Sequence, residues 1–343
     1  LRGNRIRNEG VKELGRTLSK LINLTSLNLN LKFNSILAEV EKELGKALSK
    51  DLAFNDNVDA NILFLARIPR IILAALTGAS LSVAGVVFQS LLRNDLAAPF
   101  TLGVSSGAAL GAVIAMSIGL PHSITGIPTV PTAAFLGALG SITLVFSLAR
   151  TRTGEFPTPV LLLAGVTANF FFAALVMLIH YLSDFTQSFR IVRWLMGGLD
   201  ITSYKTLISI SPMIFIGFGV LMVFSRDLNV ISTGIQSAIS RGVEVVKVQK
   251  IGFIMASLLT GAVVALSGPI GFVGLIVPHI VRLMVGPDLR ILLPASMFFG
   301  ASFLIMCDTL ARTIIAPTEI PVGIITAMLG GPFFVWLLKR PKR

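Results

Sequence analysis

Charge is scarce in this chain. Of 343 residues only 13% are charged, against a hydrophobic share of 54% and a mean hydropathy of +0.83. Soluble domains usually carry about 25% charged residues, so the composition excludes an ordinary soluble domain and reads as a polytopic membrane protein. Cysteine is almost absent. Cys307 stands alone in an apolar run, which excludes an internal disulfide and says nothing of redox compartment. Among the three histidines, His279 has no second His or carboxylate at ligand spacing, so no metal or cofactor is expected. No G-x-x-x-x-G-K-[ST] cradle occurs, so nucleotide binding by that route is excluded. Nor can a nucleophile–base pair be read, and an enzyme is not expected. The net charge of +12 would suggest nucleic acid in a soluble protein. Here the basic residues lie mostly in loops and at the C-terminus, the signature of membrane topology, and no nucleic-acid partner is expected.

What the chain has in abundance is long apolar runs. A helix crossing a bilayer needs roughly 20 apolar residues. That rule predicts nine spans, at about 70–91, 101–120, 130–149, 158–182, 205–225, 249–267, 273–286, 291–311 and 320–338, in an all-α bundle. The seventh is short enough to be tilted or re-entrant. It belongs to the stretch Ser267–Asp288 (SGPIGFVGLIVPHIVRLMVGPD), whose Gly, Pro, His and Arg interrupt otherwise lipid-compatible sequence. Broken helix at membrane depth is tolerated only where protein or a water-filled cavity covers it. On one face of the bundle the loops and C-terminus carry Arg93, Arg150, Arg152, Arg226, Arg241, Lys247, Lys250, Arg290, Lys339, Arg340, Lys342 and Arg343. The other face, from the first span on, carries Arg190, Arg193, Lys205 and Arg312. This bias makes the first face, and the C-terminus, cytoplasmic. Gly103, Gly107 and Gly111 form a doubled GxxxG, and Gly78 with Ser82 a second small-residue pair, suited to internal helix packing or to an oligomer contact.

Residues 1–59 differ from the rest, 60–343, which form the expected permease domain. They are polar and lysine-rich, and Lys12–Lys20 (KELGRTLSK) is echoed by Lys42–Lys50 (KELGKALSK). The 30-residue offset resembles leucine-rich repeats of the ribonuclease-inhibitor type. Two repeats are too few to bury a continuous core, so the segment reads as a remnant, a misjoined gene model, a partner-binding module or an amphipathic extension. Its basic residues fit poorly outside the cell, where nine spans would put it. Leu1 in place of Met is read as an incomplete N-terminus.

Several motifs then come in order: Arg67-Ile68-Pro69-Arg70, Gly78-Ala79, Ala84-Gly85 with Gln89, Arg93 to Pro99 (RNDLAAP) and Leu102 to Ala108 (LGVSSGA). Leu161 to Val166 (LLLAGV), Trp194 to Gly198 (WLMGG), Gly268 to His279 (GPIGFVGLIVPH), Glu319 to Ile324 (EIPVGI) and Gly330 to Phe334 (GGPFF) follow. Over about residues 63–340 this resembles the FecCD-type permease of ABC importers for iron-siderophores, haem and vitamin B12. The resemblance implies a ten-span subunit in the bacterial inner membrane, here lacking the first helix. Its implied partners are cytoplasmic ABC ATPase subunits, a periplasmic substrate-binding protein, and a second permease copy or paralogue. ATP hydrolysis would belong to the ATPase.

The resemblance also assigns residues. Arg67, Arg70 and Arg312 would dock carboxylates of the binding protein, which suits the planar guanidinium fork; the other reading is snorkelling toward lipid headgroups. Gly234, Ala238, Arg241, Gly242 and Val243, in the loop 226–248, would meet the ATPase, with Arg241 where the family pattern has leucine; an ordinary solvated loop is the alternative. Thr158, between two prolines, would stand at an inner gate or merely punctuate a helix start. Asp308 and Arg312, spaced i,i+4, share a helix face and fit a structural ion pair or a substrate or gating contact. His279 reads as a buried packing residue or a ligand. The second function considered is an ion-coupled secondary transporter, for which Asp308 is the one acidic residue deep in a predicted span. An adhesion scaffold would need more repeats.

Overall fold

The computed structural model describes residues 62–119, 123–124, 127–149, 157–199 and 203–339, all within one compact unit, Val58–Arg343. The repeat-like reading of 1–59 and the missing first helix lie outside the described residues. Among those described there are twelve α-helices. A π-helical turn, Leu63–Arg67, leads into α1 (Ile68–Leu92), followed by α2 (Val104–Ser117), α3 (Thr129–Ala149), α4 (Thr158–Leu182), α5 (Phe185–Leu195) and α6 (Tyr204–Val223). Then come α7 (Ser225–Thr233), α8 (Ile235–Ser240), α9 (Val245–Ser267), α10 (Val273–Val285), α11 (Leu289–Thr313) and α12 (Val322–Lys339). A two-residue antiparallel ladder, Ser123–Ile124 with Ile127–Pro128, lies between α2 and α3.

Six segments are long and apolar enough to cross a membrane: Leu63–Leu92, Thr129–Ala149, Pro159–Leu182, Tyr204–Val223, Val245–Ser267 and Leu289–Thr313. The other three expected spans correspond to shorter apolar helices, α2, α10 and α12. With 14 and 13 residues, α2 and α10 rise only about 20 Å, less than the roughly 30 Å hydrocarbon core. The backbone leading into each is irregular, and before α2 it is partly paired within the protein. Before α2, the Ala97 amide donates to the Asn94 carbonyl (3.0 Å) and Thr101 N–H to Ala98 O (3.1 Å), while Ala97, Ala98 and Leu102 are buried. Before α10, Phe272 takes a left-handed φ of 68° to turn the chain into the helix.

Helix α1 is the centre. A helix apolar on all sides belongs in a core, and 78% of the most apolar window of Leu63–Leu92 is buried, against 33% or less for α3, α4, α6 and α11. Its contacts with α10 and α11 are backbone to backbone. A Cβ on Gly78 would lie 2.1 Å from the Gly300 carbonyl, and one on Gly85 1.9 Å from that of Gly274. The Gly274 carbonyl cannot accept its i+4 helical bond, because residue 278 is proline. The doubled GxxxG of α2 packs internally: a Cβ on Gly111 would meet Ala133 O at 2.1 Å, and one on Gly107 the Ser141 side chain at 2.4 Å, both on α3.

Helix α5 was not expected. It is amphipathic rather than apolar, and a capping box starts it: Asp184 accepts from the Gln187 amide (2.8 Å), and the Gln187 side chain accepts from the Asp184 amide.

The glycine contacts can be tested by adding one methyl group. Gly85→Ala forces backbone displacement and should destabilise the bundle by about 1–3 kcal/mol or more, as overpacking does. Gly140→Ala, on the exposed side of α3 with no atom within 4 Å of its Cβ, should be neutral or slightly stabilising. Thermal unfolding of the two variants in one detergent would give a lowered midpoint for the first alone.

Candidate functional site

Two polar clusters occupy opposite ends of the bundle. At the start of α1, Arg70 Nε donates to Asp308 Oδ1 (3.0 Å) and Oδ2 (3.1 Å), and Nη2 to Oδ1 (2.8 Å). Its Nη1 donates to Glu319 Oε2 at 2.7 Å. Asp308, near the end of α11, is only 1% exposed, and a buried carboxylate is tolerable only when paired. Arg312, one turn on, brings Nε to 3.2 Å from Asp308 Oδ2, an ion pair without hydrogen-bond alignment. Of the three arginines expected to dock a partner, Arg70 is therefore bound within the chain and Arg312 is partly engaged. Arg67 is exposed. Beside them a cavity of about 500 Å³ opens between α5 and the α11–α12 loop, lined by Arg70, Phe189, Arg193, Met196 and Glu319 among others.

The floor of that cavity is a backbone knot. Gly198 N–H donates to Ser267 O (2.8 Å) and Gly323 N–H to Gly197 O (3.2 Å). This joins the end of α5, the end of α9 and the start of α12. Gly197 has φ 70°, and a Cβ there would lie 2.4 Å from Pro269 O, so no other residue fits.

At the other end, α7 and α8 form an elbow bent at Gly234, whose φ of 145° suits glycine. The elbow is seated by Leu228, Ile231 and Ala238, all fully buried. Ala238, expected to meet the ATPase, is fully buried within its own chain. Gly234 and Val243 are half-buried, and Arg241 and Gly242 are exposed. The apolar side chain offered to solvent is Ile239, 56% exposed, which sequence reasoning passed over because the family pattern drew attention to Arg241. Thr158 begins α4; its side chain lies outside the described part. Helix α7 also reaches α11. Asn229 Nδ2 donates to Asp288 Oδ1 (2.7 Å), and its Oδ1 accepts from the Leu289 amide (2.8 Å). Asp288 caps α11 through the Arg290 amide and grips the Arg290 guanidinium. Hydrogen bonds from Arg290 and Asn229 hold its carboxyl far below the ordinary carboxylate range, so the cap stays ionised at neutral and mildly acid pH.

At the same end as the elbow, Arg282 of α10 donates to Gln89 Oε1 of α1 (2.8 Å) and pairs with Asp95. His279, weighed as packer or ligand, lies edge-on to Phe333 with ring centroids 5.9 Å apart. No group of three metal-ligating side chains occurs among the described residues.

A helical bundle of apolar spans, with half-length helices at its centre and charge confined to its ends, is the architecture of a membrane transport permease. The chain belongs to the FecCD transport family, whose model matches residues 20–340 and so takes in part of the stretch that looked foreign. The cobalamin import system permease protein BtuC of Halobacterium salinarum is 44% identical over 277 residues, 80% of this chain and 72% of the relative. The hemin transport system permease protein HmuU of Yersinia pestis is 40% identical over 278 residues, 80% and 82% of the two chains. A solved ABC transporter of metal-chelate type, in an inward-facing conformation, superposes with a TM-score of 0.74 at 33% identity, covering 83% of this chain and 90% of the other.

Removing Arg70 leaves Asp308 with only the misaligned Arg312. Arg70→Leu should cost about 3–5 kcal/mol, the usual effect of breaking a buried pair, and Arg70→Lys should recover only part because the fork is lost. Arg67→Leu should change stability little. Chemical unfolding in detergent would rank the three.

Proposed function

We propose that this chain is the membrane-embedded subunit of an importer that moves an iron-siderophore, haem or cobalamin-type substrate across the bacterial inner membrane. A binding protein delivers the substrate outside, and a separate ATPase supplies the energy. The observation that carries the reading is the pair of end clusters, arginines at one end and the α7–α8 elbow at the other. The excess of Lys and Arg at the elbow end supports a cytoplasmic elbow and C-terminus. The substrate class is supported by the cargo of the related hemin and cobalamin permeases and by the metal-chelate transporter.

On this reading the three arginines divide their work. Arg70 anchors α1 to α11, while Arg67 and the outer face of Arg312 meet carboxylates of the binding protein. At the elbow, Ile239 supplies the apolar contact to the ATPase, with Arg241 and Gly242 at its rim and Gly234 and Val243 shaping the bend. A second copy or paralogue completes the pathway, and Thr158 stands at its cytoplasmic mouth. Hydrolysis belongs to the ATPase.

An ion-coupled transporter would need a carboxylate free to exchange protons or cations within the bundle. Asp308, the candidate for that role, is instead held by two arginines.

Two measurements test this. Arg67→Glu and Arg312→Glu should each weaken binding-protein affinity for the reconstituted complex at least about tenfold by surface plasmon resonance, consistent with loss of a close charge pair and like-charge repulsion. Unchanged affinity in both would remove docking from these residues. Ile239→Asp, or deletion of 226–248, should abolish co-purification of the ATPase, and retention of the ATPase at full yield would defeat the coupling assignment.

A further inference from the structure

Asn229 has both ends of its amide committed to α11. Its Nδ2 donates to the Asp288 carboxylate, which cannot donate, and its Oδ1 accepts from the Leu289 N–H, which cannot accept. The orientation of the amide is thus fixed by its partners rather than chosen. A helix N-terminus leaves its first amides without intrahelical partners. Here one is satisfied by Asp288 from within and another by a side chain from a different helix, which ties the elbow to the end of α11.

Helix α11 then runs the full depth of the bundle. Its 25 residues rise about 37 Å, more than the hydrocarbon core. Pro294 interrupts its hydrogen-bond ladder only within the first two turns. At the far end Asp308 holds Arg70, and Arg312 projects from the same face. Midway, Gly300 is locked to Gly78 of α1, so α11 cannot slide without α1. A displacement of α7 therefore has a continuous mechanical path to the arginine cluster. The segments on that path are a two-point side-chain clamp, a helix continuous from Leu289 to Thr313 and a buried ion pair.

We propose that Asn229 is the positioning residue through which the cytoplasmic elbow drives α11, and that α11 acts as the strut relating the state of the ATPase to the arrangement of Arg70 and Arg312. Charged surroundings of the clamp come from Asp288 and Arg290 on the α10–α11 side and from Arg226 and Asp227 on α7. The proposal rests on the importer reading above and names the residue that transmits its coupling.

The test uses the full complex with its ATPase in nanodiscs, and reads the ratio of ATPase rate with binding protein to the rate without it. Each variant is normalised to its own basal rate. Asn229→Asp sets two carboxylates against each other and should reduce that ratio at least about fivefold. Combining it with Asp288→Asn rebuilds the clamp with the charges exchanged, because asparagine also caps a helix, and should restore the ratio to within about twofold. A second readout places spin labels at Thr313, the last residue of α11, and on α5. The distance change on adding a non-hydrolysable nucleotide should vanish in Asn229→Asp and return in the double variant. An unchanged ratio and an unchanged nucleotide response in Asn229→Asp would overturn the strut. If wild-type protein bound no ATPase at all, the importer reading would fail, which is a different result.

Discussion

Where Gly78 of α1 meets the carbonyl of Gly300 on α11, two helix backbones come into direct contact, and that contact sets the register of the antiparallel pair. Arg70 lies eight residues before Gly78, and Asp308 eight residues after Gly300. At 1.5 Å per residue each is about 12 Å from the crossing in the same direction, so the guanidinium arrives beside the carboxylate. A second contact, Gly85 against Gly274, does the same for α10 and brings Arg282 within reach of Gln89. Both polar links follow from close packing in the middle of the bundle. In lipid, where no hydrophobic force draws helices together, such approaches through small residues are what hold them.

The same constraint explains the half-length helices. A chain that leaves helical geometry at membrane depth must satisfy its amides inside the protein. The segment before α2 is covered by α3, whose Ser141 hydroxyl donates to Gly103 O (2.7 Å), and by α4: a Cβ on Gly165 would lie 2.8 Å from Leu102 Cα, so α4 packs against the backbone of the irregular stretch itself. The segment before α10 lies against the end of α5, where a Cβ on Gly197 would meet Pro269 O at 2.4 Å. Charge obeys a related rule. Asp308 is buried, yet it sits near a helix end where Arg70, Arg312 and the Glu319 loop can surround it.

The apolar runs made the spans legible in the sequence, because about twenty residues without charge match the thickness of a bilayer and little else. The shortness of 273–286 was legible too, from its glycines and prolines. Helix α5 was not, since its eleven residues alternate in polarity and a search for continuous apolarity passes over them; the Asp184-x-x-Gln187 box was the signal available. Of the polar clusters, only Asp308 with Arg312 could be seen, as neighbours on one helix turn. Arg70 with Asp308 and Asn229 with Asp288 join residues 238 and 59 positions apart, and no local pattern records which helices meet. Ala238 shows the reverse difficulty. A small residue in an interhelical loop looks like room for a partner, but Ala238 is fully buried by its own chain.

Rigidity is unevenly distributed in this bundle, and the type of contact decides where. The α1–α10–α11 group and the α2–α3 pair approach backbone to backbone, with only small side chains such as Ser82 and Ser141 beside the glycines. Helix α9 meets its neighbours differently. Gly217 of α6 faces the Leu259 side chain, Gly252 faces Leu91, and Gly261 faces the Ala138 methyl and the Phe135 ring. Contacts through flexible side chains can slide by small repacking steps, the shear mode by which packed helices move without unfolding. A permease must open first to one side and then to the other, and it cannot do so by breaking buried carbonyl contacts in lipid. By contact type, the side-chain interfaces along α9 are the ones able to repack, while the charged links at either end of α1 add to the close packing of α1, α10 and α11.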